Sequence, residues 1–123
     1  MIKILVIDDD RMNCELIQSI FTRHGYQVLS STSGIEGLTL FRQEAPRVTI
    51  LDLRMPEMDG LELVSKIREI NPQIKVIYMS GFFGIKNLKE RIRGEVEKYG
   101  YLTFSKPFKL SHMLEIVNEY LNI

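Results

Sequence analysis

The chain has few of the features that mark secreted, membrane or nucleic-acid-binding proteins. Its 123 residues contain one cysteine, Cys14, which excludes an internal disulfide and is typical of a reducing compartment. Sixteen Lys and Arg balance sixteen Asp and Glu, so no net charge attracts the protein to nucleic acid or to a membrane surface. The N-terminal apolar run, residues 4–7, is too short for a signal peptide or a membrane span. We therefore expect a cytoplasmic protein with no direct nucleic-acid contact and no membrane insertion.

The hydrophobic pattern predicts one domain of the α/β class. Short β-rich runs alternate with amphipathic stretches, which favours parallel βαβ units in a doubly wound sheet with helices on both faces. Residues 1–123 are expected to form a single domain, whether or not they are cut from a longer protein. The five predicted strands lie at residues 4–7, 26–30, 48–53, 75–79 and 101–105. The five predicted helices lie near residues 11–24, 33–45, 61–70, 81–100 and 110–121.

Individual residues predict where the first two helices begin and where the first one ends. Asp10 and Ser33 precede them, at the position where short polar side chains are preferred as N-caps. Gly25 predicts the end of the first helix. An apolar stripe at helical spacing predicts the buried face of that helix. The stripe consists of Met12, Leu16, Ile17, Ile20 and Phe21.

Polar side chains with metal-binding and phosphate-binding chemistry follow four of the predicted strands. Three aspartates end the first strand, an aspartate the third, a serine the fourth and a lysine the fifth: Asp8, Asp9, Asp10, Asp52, Ser80 and Lys106. Ligands bind outside the carboxyl ends of the strands in an open parallel sheet, so these residues are expected to meet at one edge. Helix capping, a turn or a surface position would explain most of them singly. Their joint placement is what indicates a site.

The carboxylates predict a divalent cation site. Two ionised carboxylates about 4 Å apart repel by roughly 4 kcal/mol at an effective dielectric near 20, so the cluster holds either a proton or a cation. Mg²⁺ suits it, with Mn²⁺ as an alternative, because Mg²⁺ is usually held by one or two carboxylates, waters and a phosphate. Asp9 and Asp52 are the expected direct ligands. Asp8 is expected to act through water, and the Arg54 backbone carbonyl to contribute a further ligand.

A phosphoryl group is the expected substrate of this edge. Once a cation neutralises Asp52, that carboxylate can attack phosphorus and form an acyl phosphate. Lys106 would balance one phosphoryl oxygen, and the hydroxyl of Ser80 would donate to another.

Four sequence blocks resemble the signature blocks of the receiver domain of two-component response regulators. They read Ile-Asp-Asp-Asp from residue 7, Asp-Leu-Arg-Met-Pro-Glu-Met-Asp-Gly from residue 52, Met-Ser-Gly from residue 79 and Ser-Lys-Pro-Phe from residue 105. The resemblance covers essentially the whole chain, and the second block is highly specific. It implies a flavodoxin-like fold with five parallel strands in the order 2-1-3-4-5. It also implies a cis bond between Lys106 and Pro107, which X–Pro bonds adopt readily.

The resemblance implies roles for the residues and for partners. Asp52 would be the phosphoacceptor, Asp8 and Asp9 the acidic pair for Mg²⁺, Ser80 the switch hydroxyl and Lys106 the phosphate-contacting lysine. A histidine kinase or a histidine phosphotransfer protein would supply the phosphoryl group. The domain would catalyse its own phosphorylation and later dephosphorylation, and would act mainly as a signalling switch. Output would be contact with a downstream protein or onward phosphotransfer, with a phosphorylation-dependent homodimer left open.

Other positions are expected to modulate the switch. Thr103 stands where many receivers carry an aromatic residue three places before the lysine, and Phe104 follows it. Arg54 and Phe82 lie two residues beyond the acceptor and the switch hydroxyl, where they would influence how water reaches the acyl phosphate. The Gly81 N–H would be drawn toward the new oxygens.

The segment between the switch hydroxyl and the lysine is several residues longer than is usual in the family. Our hypothesis is that this segment forms the output surface, with Lys89 and Arg91 as docking residues. A solvated helix face is the simpler explanation of its charges.

Two other functions are compatible with the sequence. Asp8 and Asp10 after an apolar strand also resemble the nucleophile motif of haloacid-dehalogenase-type phosphatases, in which Asp8 would be phosphorylated. Met12 stands where that motif normally has Thr or Val, which disfavours it. The other alternative is a receiver-like module that binds partners without phosphorylation.

Overall fold

The computed structural model describes residues 1–54, 59–81 and 86–122, with the side chains at 86–89 and 91 outside the description. The strands are Lys3–Ile7 (β1), Gln27–Ser31 (β2), Val48–Asp52 (β3), Lys75–Ser80 (β4) and Leu102–Ser105 (β5). The helices are Arg11–Arg23 (α1), Gly34–Glu44 (α2), Gly60–Ile70 (α3), Lys86–Tyr99 (α4) and Leu110–Leu121 (α5). The predicted alternation is confirmed, with bounds within one residue everywhere except at the start of α4.

All five strands are parallel and lie in the order β2-β1-β3-β4-β5, as the family resemblance implies. The chain passes from β1 to β2 on one side and returns to β3 on the other side. The order of the strands therefore reverses at β1, and a crevice opens beyond the carboxyl ends of β1 and β3. That crevice is where the acidic residues after the two strands come together.

The core consists of two layers, one on each face of the sheet. Along β1, Ile4 and Val6 pack with α1 and α5, whereas Leu5 and Ile7 pack with α2 and α3. Buried residues of β3 and β4 likewise alternate between the two layers. Every residue of β3 is buried, as expected for a central strand that is covered on both faces.

Gly37 brings α2 unusually close to β1. A Cβ atom at this position would lie 2.5 Å from Cδ1 of Ile7 and 2.9 Å from its Cγ1. The missing side chain therefore lets the helix rest directly on the strand. Ile7 immediately precedes Asp8, so this contact lies at the base of the acidic cluster.

The predicted caps are confirmed. The side chain of Asp10 accepts from Met12 N, and that of Ser33 accepts from Glu36 N. Gly25 has a φ of +91° directly after the cap of α1, a conformation that favours glycine. These residues fix both ends of α1 and the start of α2, and α1 therefore starts three residues after Asp8 and two after Asp9.

The predicted apolar stripe of α1 is wrong at two positions. Met12 and Leu16 are 68% and 49% exposed, and Cys14 instead lies in the buried face with Ile17 and Phe21. The stripe is too wide, because only part of it contacts the sheet. Among the described residues, none of the helices has the length and apolar character that crossing a membrane would require.

Candidate functional site

The carboxyl ends of β1, β3 and β5 bring three charged side chains into contact. Lys106, one residue after β5, donates from Nζ to Oδ2 of Asp52 at 2.8 Å and to Oδ2 of Asp8 at 3.0 Å. The lysine is 54 and 98 positions away from these partners in the sequence. The contact therefore depends on the order of the strands, because these residues are far apart in the sequence.

Asp8 is fully buried, and three donors satisfy its carboxylate. Oδ1 accepts from the backbone N–H of Asp10 at 2.9 Å. Oδ2 accepts from Lys106 Nζ at 3.0 Å and from Asn13 Nδ2 at 2.6 Å. Sequence reasoning missed Asn13. The available signal was its place in the first turn of α1, three residues after Asp10.

Asp52 ends β3 and is 6% exposed. Its Oδ1 accepts from the backbone N–H of Arg54 at 2.9 Å, and its Oδ2 accepts from Lys106. The strand is held in place on the β4 side, because Leu53 N donates to the carbonyl of Met79 at 3.0 Å. The phosphoacceptor predicted from the sequence is thus held on a rigid strand end with both oxygens hydrogen-bonded.

Asp9 completes a cluster of three aspartates. Carboxylate oxygens of Asp8, Asp9 and Asp52 lie within 4.8 Å of one another. Asp9 is exposed, but partial desolvation beside the cluster raises its pKa, the negative charges of Asp8 and Asp52 raise it further, and Lys106 lowers it. The cluster therefore holds more negative charge than its one ammonium compensates, which is the electrostatic condition for binding a cation.

Lys106 is held as an ammonium. Burial lowers its pKa, but the hydrogen bonds to Asp52 and Asp8 outweigh this and raise the pKa of Lys106 above its usual value. Its peptide bond to Pro107 is cis, as the family resemblance implies.

An open depression of about 330 Å³ lies beside Asp52, the predicted phosphoacceptor. Its lining residues are Asp9, Asp52, Arg54, Gly81 and Lys106. The Arg54 side chain is exposed and lies across Gly81, since a Cβ on the glycine would be 3.5 Å from Nη1 of the arginine. Two cationic side chains thus border a space next to a carboxylate, which suits an anionic substrate.

Ser80 lies at the same edge of the sheet, at the end of β4. It is half-buried, and its carbonyl accepts from the backbone N–H of Lys106 at 2.8 Å. Ser80 pairs in register with Ser105 of β5. This backbone link holds Ser80, the residue with the predicted switch hydroxyl, next to the backbone of Lys106, the predicted phosphate-contacting lysine.

The other predicted modulatory residues differ in where they lie. Thr103 is exposed on β5. Phe104 is buried against the rings of Phe108 and His112, with centroids 5.9 and 5.6 Å away. Neither residue is among those that line the depression. Phe82 lies outside the described residues.

Comparison with known proteins identifies the family to which this site belongs. Residues 4–118 match the family model of the response regulator receiver domain. The chain belongs to the response regulator receiver family. The family resemblance drawn from the four sequence blocks is therefore confirmed.

Several relatives of this receiver match along nearly its whole length. Sporulation initiation phosphotransferase F of Bacillus subtilis is 31% identical over 120 residues, which cover 97% of this chain and 93% of that protein. The polar-differentiation response regulator DivK of Brucella ovis is 30% identical over 121 residues, which cover 96% of this chain and 94% of that protein.

Solved structures agree with the fold. A response regulator receiver domain protein from Clostridium thermocellum superposes with a TM-score of 0.86 at 27% identity, covering 99% of this receiver and 95% of that chain. A CheY-like receiver domain protein from Methanospirillum hungatei also superposes with a TM-score of 0.86, at 26% identity, covering 99% of this receiver and 94% of that chain.

Membership in the family has general consequences. Receiver domains act in two-component signalling, which implies a histidine kinase or a histidine phosphotransfer protein as the class of partner. They generally bind Mg²⁺ at an acidic pocket, and this receiver has an aspartate cluster at the sheet edge.

Proposed function

We propose that this receiver, residues 1–123, accepts a phosphoryl group on Asp52 in a Mg²⁺-dependent reaction and acts as a phosphorylation-controlled switch. One observation carries the proposal. The ammonium of Lys106 pairs with the acceptor Asp52 at 2.8 Å, beside a cluster of three aspartates. A fixed cationic side chain and a cation site next to one carboxylate suit phosphoryl transfer, because the transferred oxygens carry the developing charge.

The residues present fit a divalent cation. Asp8, Asp9 and Asp52 bring oxygens within 4.8 Å of one another, and hard oxygen ligands suit Mg²⁺ or Mn²⁺. Asp9 and Asp52 would hold the ion directly, Asp8 would act through water, and the Arg54 carbonyl would add a ligand. When bound, the ion would offset the repulsion between the acceptor carboxylate and an incoming phosphoryl group.

Asp52 would be the nucleophile. One of its carboxylate oxygens attacks the phosphorus of a phosphohistidine, and the new O–P bond forms as the P–N bond breaks. The imidazole leaves with the bonding electrons and takes a proton from solvent. Lys106 stays beside the phosphoryl oxygens, and the Ser80 hydroxyl and the Gly81 N–H donate to them. Later hydrolysis releases inorganic phosphate and restores the carboxylate.

Asp8 is a poor alternative nucleophile. It has no exposed surface and does not line the depression, whereas Asp52 does. Attack on phosphorus would require Asp8 to become accessible. This favours the receiver reaction over the haloacid-dehalogenase-type chemistry.

Phosphorylation would act on the segment that leads from β4 to α4. A phosphoryl group adds about −1.5 to −2 charges, by analogy with phosphoserine. Ser80 and Gly81 begin that connection, so a shift toward the new oxygens would reach α4, with Thr103 and Phe104 on the neighbouring strand as modulators. Coupling of this kind is typically worth about 1–3 kcal/mol, which biases an existing equilibrium without rebuilding the fold.

The partners that we propose follow from the reaction. A histidine kinase or a histidine phosphotransfer protein would supply the phosphoryl group. A downstream protein would read the shifted α4 region, or would take the phosphoryl group onward, and a phosphorylation-dependent homodimer is a further form of output. Lys89 and Arg91, the docking residues of our output hypothesis, have side chains outside the described part of the chain.

Intact-mass analysis tests the proposal. The protein is incubated with acetyl phosphate, with Mg²⁺ or with excess EDTA, as wild type, Asp52→Asn and Asp10→Asn. Asp10 is next to the cluster but caps α1, and asparagine keeps the accepting oxygen of the cap. We expect one phosphoryl adduct in wild type and in the Asp10 variant, none in Asp52→Asn and none without Mg²⁺.

The other results identify the alternatives. An adduct that persists in Asp52→Asn would place the chemistry on another residue, with Asp8 first. An absence of adduct in wild type, also with a phosphorylated histidine phosphotransfer protein as donor, would favour a module that binds without phosphorylation. Mg²⁺-independent partner binding would then be the property to measure.

A further inference from the structure

An amide on α1 contacts the aspartate cluster and has no part in the chemistry described above. Asn13 is half-buried and donates from Nδ2 to Oδ2 of Asp8 at 2.6 Å. That oxygen also accepts from Lys106 at 3.0 Å, so a neutral donor and a charged donor share one atom. The remaining oxygen of Asp8 is bound to the backbone N–H of Asp10.

The position of this amide is set by the start of α1. Asp10 caps the helix through its side chain, and its carbonyl accepts from Cys14 N at 3.2 Å. Cys14 and Ile17 are buried against the sheet, which anchors the first turns of the helix. Asn13 therefore points at Asp8 from a rigid element, as a preorganised positioning group requires.

We propose that Asn13 is a positioning residue that keeps the Asp8 carboxylate oriented and hydrogen-bonded while a divalent cation occupies the cluster. The inference rests on the proposed function, because it concerns the same cation. Lys106 satisfies Asp8 Oδ2 only as long as no cation lies beside it. A divalent cation at the three aspartates repels the ammonium, which is then available to phosphoryl oxygens.

The neutral amide is not repelled in this way. Asp8 has no exposed surface, so bulk water does not replace a donor that leaves. A buried carboxylate that loses a donor is less stable, and beside the water through which Asp8 would hold the cation, Asn13 is the described side chain that still donates to Oδ2. Removing the amide therefore penalises the cation-bound state more than the cation-free state, where Lys106 still donates. The consequence is a lower affinity for the cation.

Cation affinity itself tests this role. Binding of Mn²⁺ alone is measured from the electron paramagnetic resonance signal of the free ion, and Mg²⁺ is measured by competition. The proteins are wild type, Asn13→Ala, Asn13→Leu and the control Gln18→Ala. Leucine is larger than asparagine but has the same branching at Cγ and lacks the donor, and Gln18 is an exposed amide on the same helix. Thermal unfolding in EDTA reports on folding.

We expect both Asn13 variants to bind Mn²⁺ and Mg²⁺ about 10–100-fold more weakly, the range for groups that orient metal ligands, with Gln18→Ala unchanged. At saturating Mg²⁺ the two variants should regain phosphorylation by acetyl phosphate, because the defect lies in affinity. If one of the two Asn13 variants fails to fold, the cation affinity of the other tests the inference. Wild-type affinity in a folded variant would overturn the inference and leave the proposed function intact. An absence of binding by wild type would overturn both.

Discussion

The ammonium of Lys106 lies 2.8 Å from Oδ2 of Asp52 and 3.0 Å from Oδ2 of Asp8. One lysine thus compensates two buried carboxylates that belong to different strands. Such a pair adds little net stability, but removal of one partner leaves buried charge uncompensated. In the cation-free protein the lysine therefore supplies the positive charge that a bound cation would supply in the proposed function.

Replacement of Lys106 should make stability depend strongly on a cation. We expect Lys106→Met to lower the free energy of unfolding in EDTA by about 1–3 kcal/mol, below the range for fully buried pairs because part of the side chain is exposed. Saturating Mg²⁺ should recover most of that loss, since it compensates the same carboxylates. Urea unfolding with and without Mg²⁺ measures both. Lys109→Met, at an exposed lysine, is the control. An equal loss with and without Mg²⁺ would contradict the expectation.

Asp9 makes stability depend on pH in a defined direction. Partial desolvation and the charges of Asp8 and Asp52 raise the pKa of the exposed Asp9 carboxylate in the folded protein. A raised folded-state pKa means that folding favours the protonated form. The contribution of this group to stability is therefore fully present below the unfolded pKa, about 3.9, and is lost as the pH rises through the folded pKa.

Asp9→Asn should remove this dependence. At pH 7 without cation, we expect the variant to be more stable than wild type by about 0.5 kcal/mol, the scale of an exposed charge interaction. The difference should shrink as the pH falls toward about 4. In saturating Mg²⁺ the order should reverse, because only wild type gains the full stabilisation from binding. Urea unfolding across pH, in EDTA and in Mg²⁺, measures these changes, and lower stability of Asp9→Asn at pH 7 in EDTA would count against the electrostatic account.

Glu95 joins α4 to α3 and to the sheet. Its Oε1 accepts from Arg68 Nη1 at 2.9 Å and from the hydroxyl of Tyr78 at 3.2 Å. Arg68 also donates to the hydroxyl of Tyr101 at 3.0 Å and lies 4.2 Å from the ring centroid of Tyr99. Burial, followed by the charge of Glu95, raises the pKa of Tyr78 well above its ordinary range, so the hydroxyl remains a donor.

Glu95→Ala should therefore destabilise the protein. We expect a loss of about 1–3 kcal/mol, because a partly buried guanidinium and a buried hydroxyl lose their shared acceptor. Glu62→Ala is the matched control: its partner Lys66 is 3.8 Å away on the exposed side of α3, and such pairs contribute about 0.2–0.5 kcal/mol. Chemical denaturation of both variants measures the difference. Equal small losses would show that the network adds no more than a surface pair.

The bounds of the elements and the polar strand ends were predictable from the sequence because both depend on local chain properties. Asp52 follows an apolar strand, and Asp10 and Ser33 are short polar residues directly before helices. The order of the strands came from the family resemblance, since hydrophobic periodicity alone does not specify which strands are neighbours. The predicted convergence at one edge follows from parallel strands, but which strand ends are neighbours depends on that order.

Contacts that depend on how packed elements are oriented were not predictable. The place of Asn13 in the first turn of α1 made it a candidate, but its contact with Asp8, five positions away, depends on how α1 leaves the strand. The link between Glu95 and Arg68 spans 27 positions and requires α3 and α4 to be neighbours. Met12 and Leu16 satisfy helical spacing and are nevertheless exposed, because periodicity shows a face but not how much of it the sheet covers.

The contact between Gly37 and Ile7 also depends on how packed elements are oriented. It gives a prediction for which a second glycine is the control. We expect Gly37→Ala to lower the free energy of unfolding by about 1–3 kcal/mol, since the added methyl group would overlap the buried Ile7 side chain. For Gly94 in α4, the described residues place no atom within 4 Å of an added Cβ apart from the helix's own backbone, so Gly94→Ala should raise the free energy of unfolding by about 0.5–1 kcal/mol. Urea unfolding distinguishes the two signs. Stabilisation by both substitutions would mean that α2 can move away from β1, and that the strand end before Asp8 does not depend on this contact.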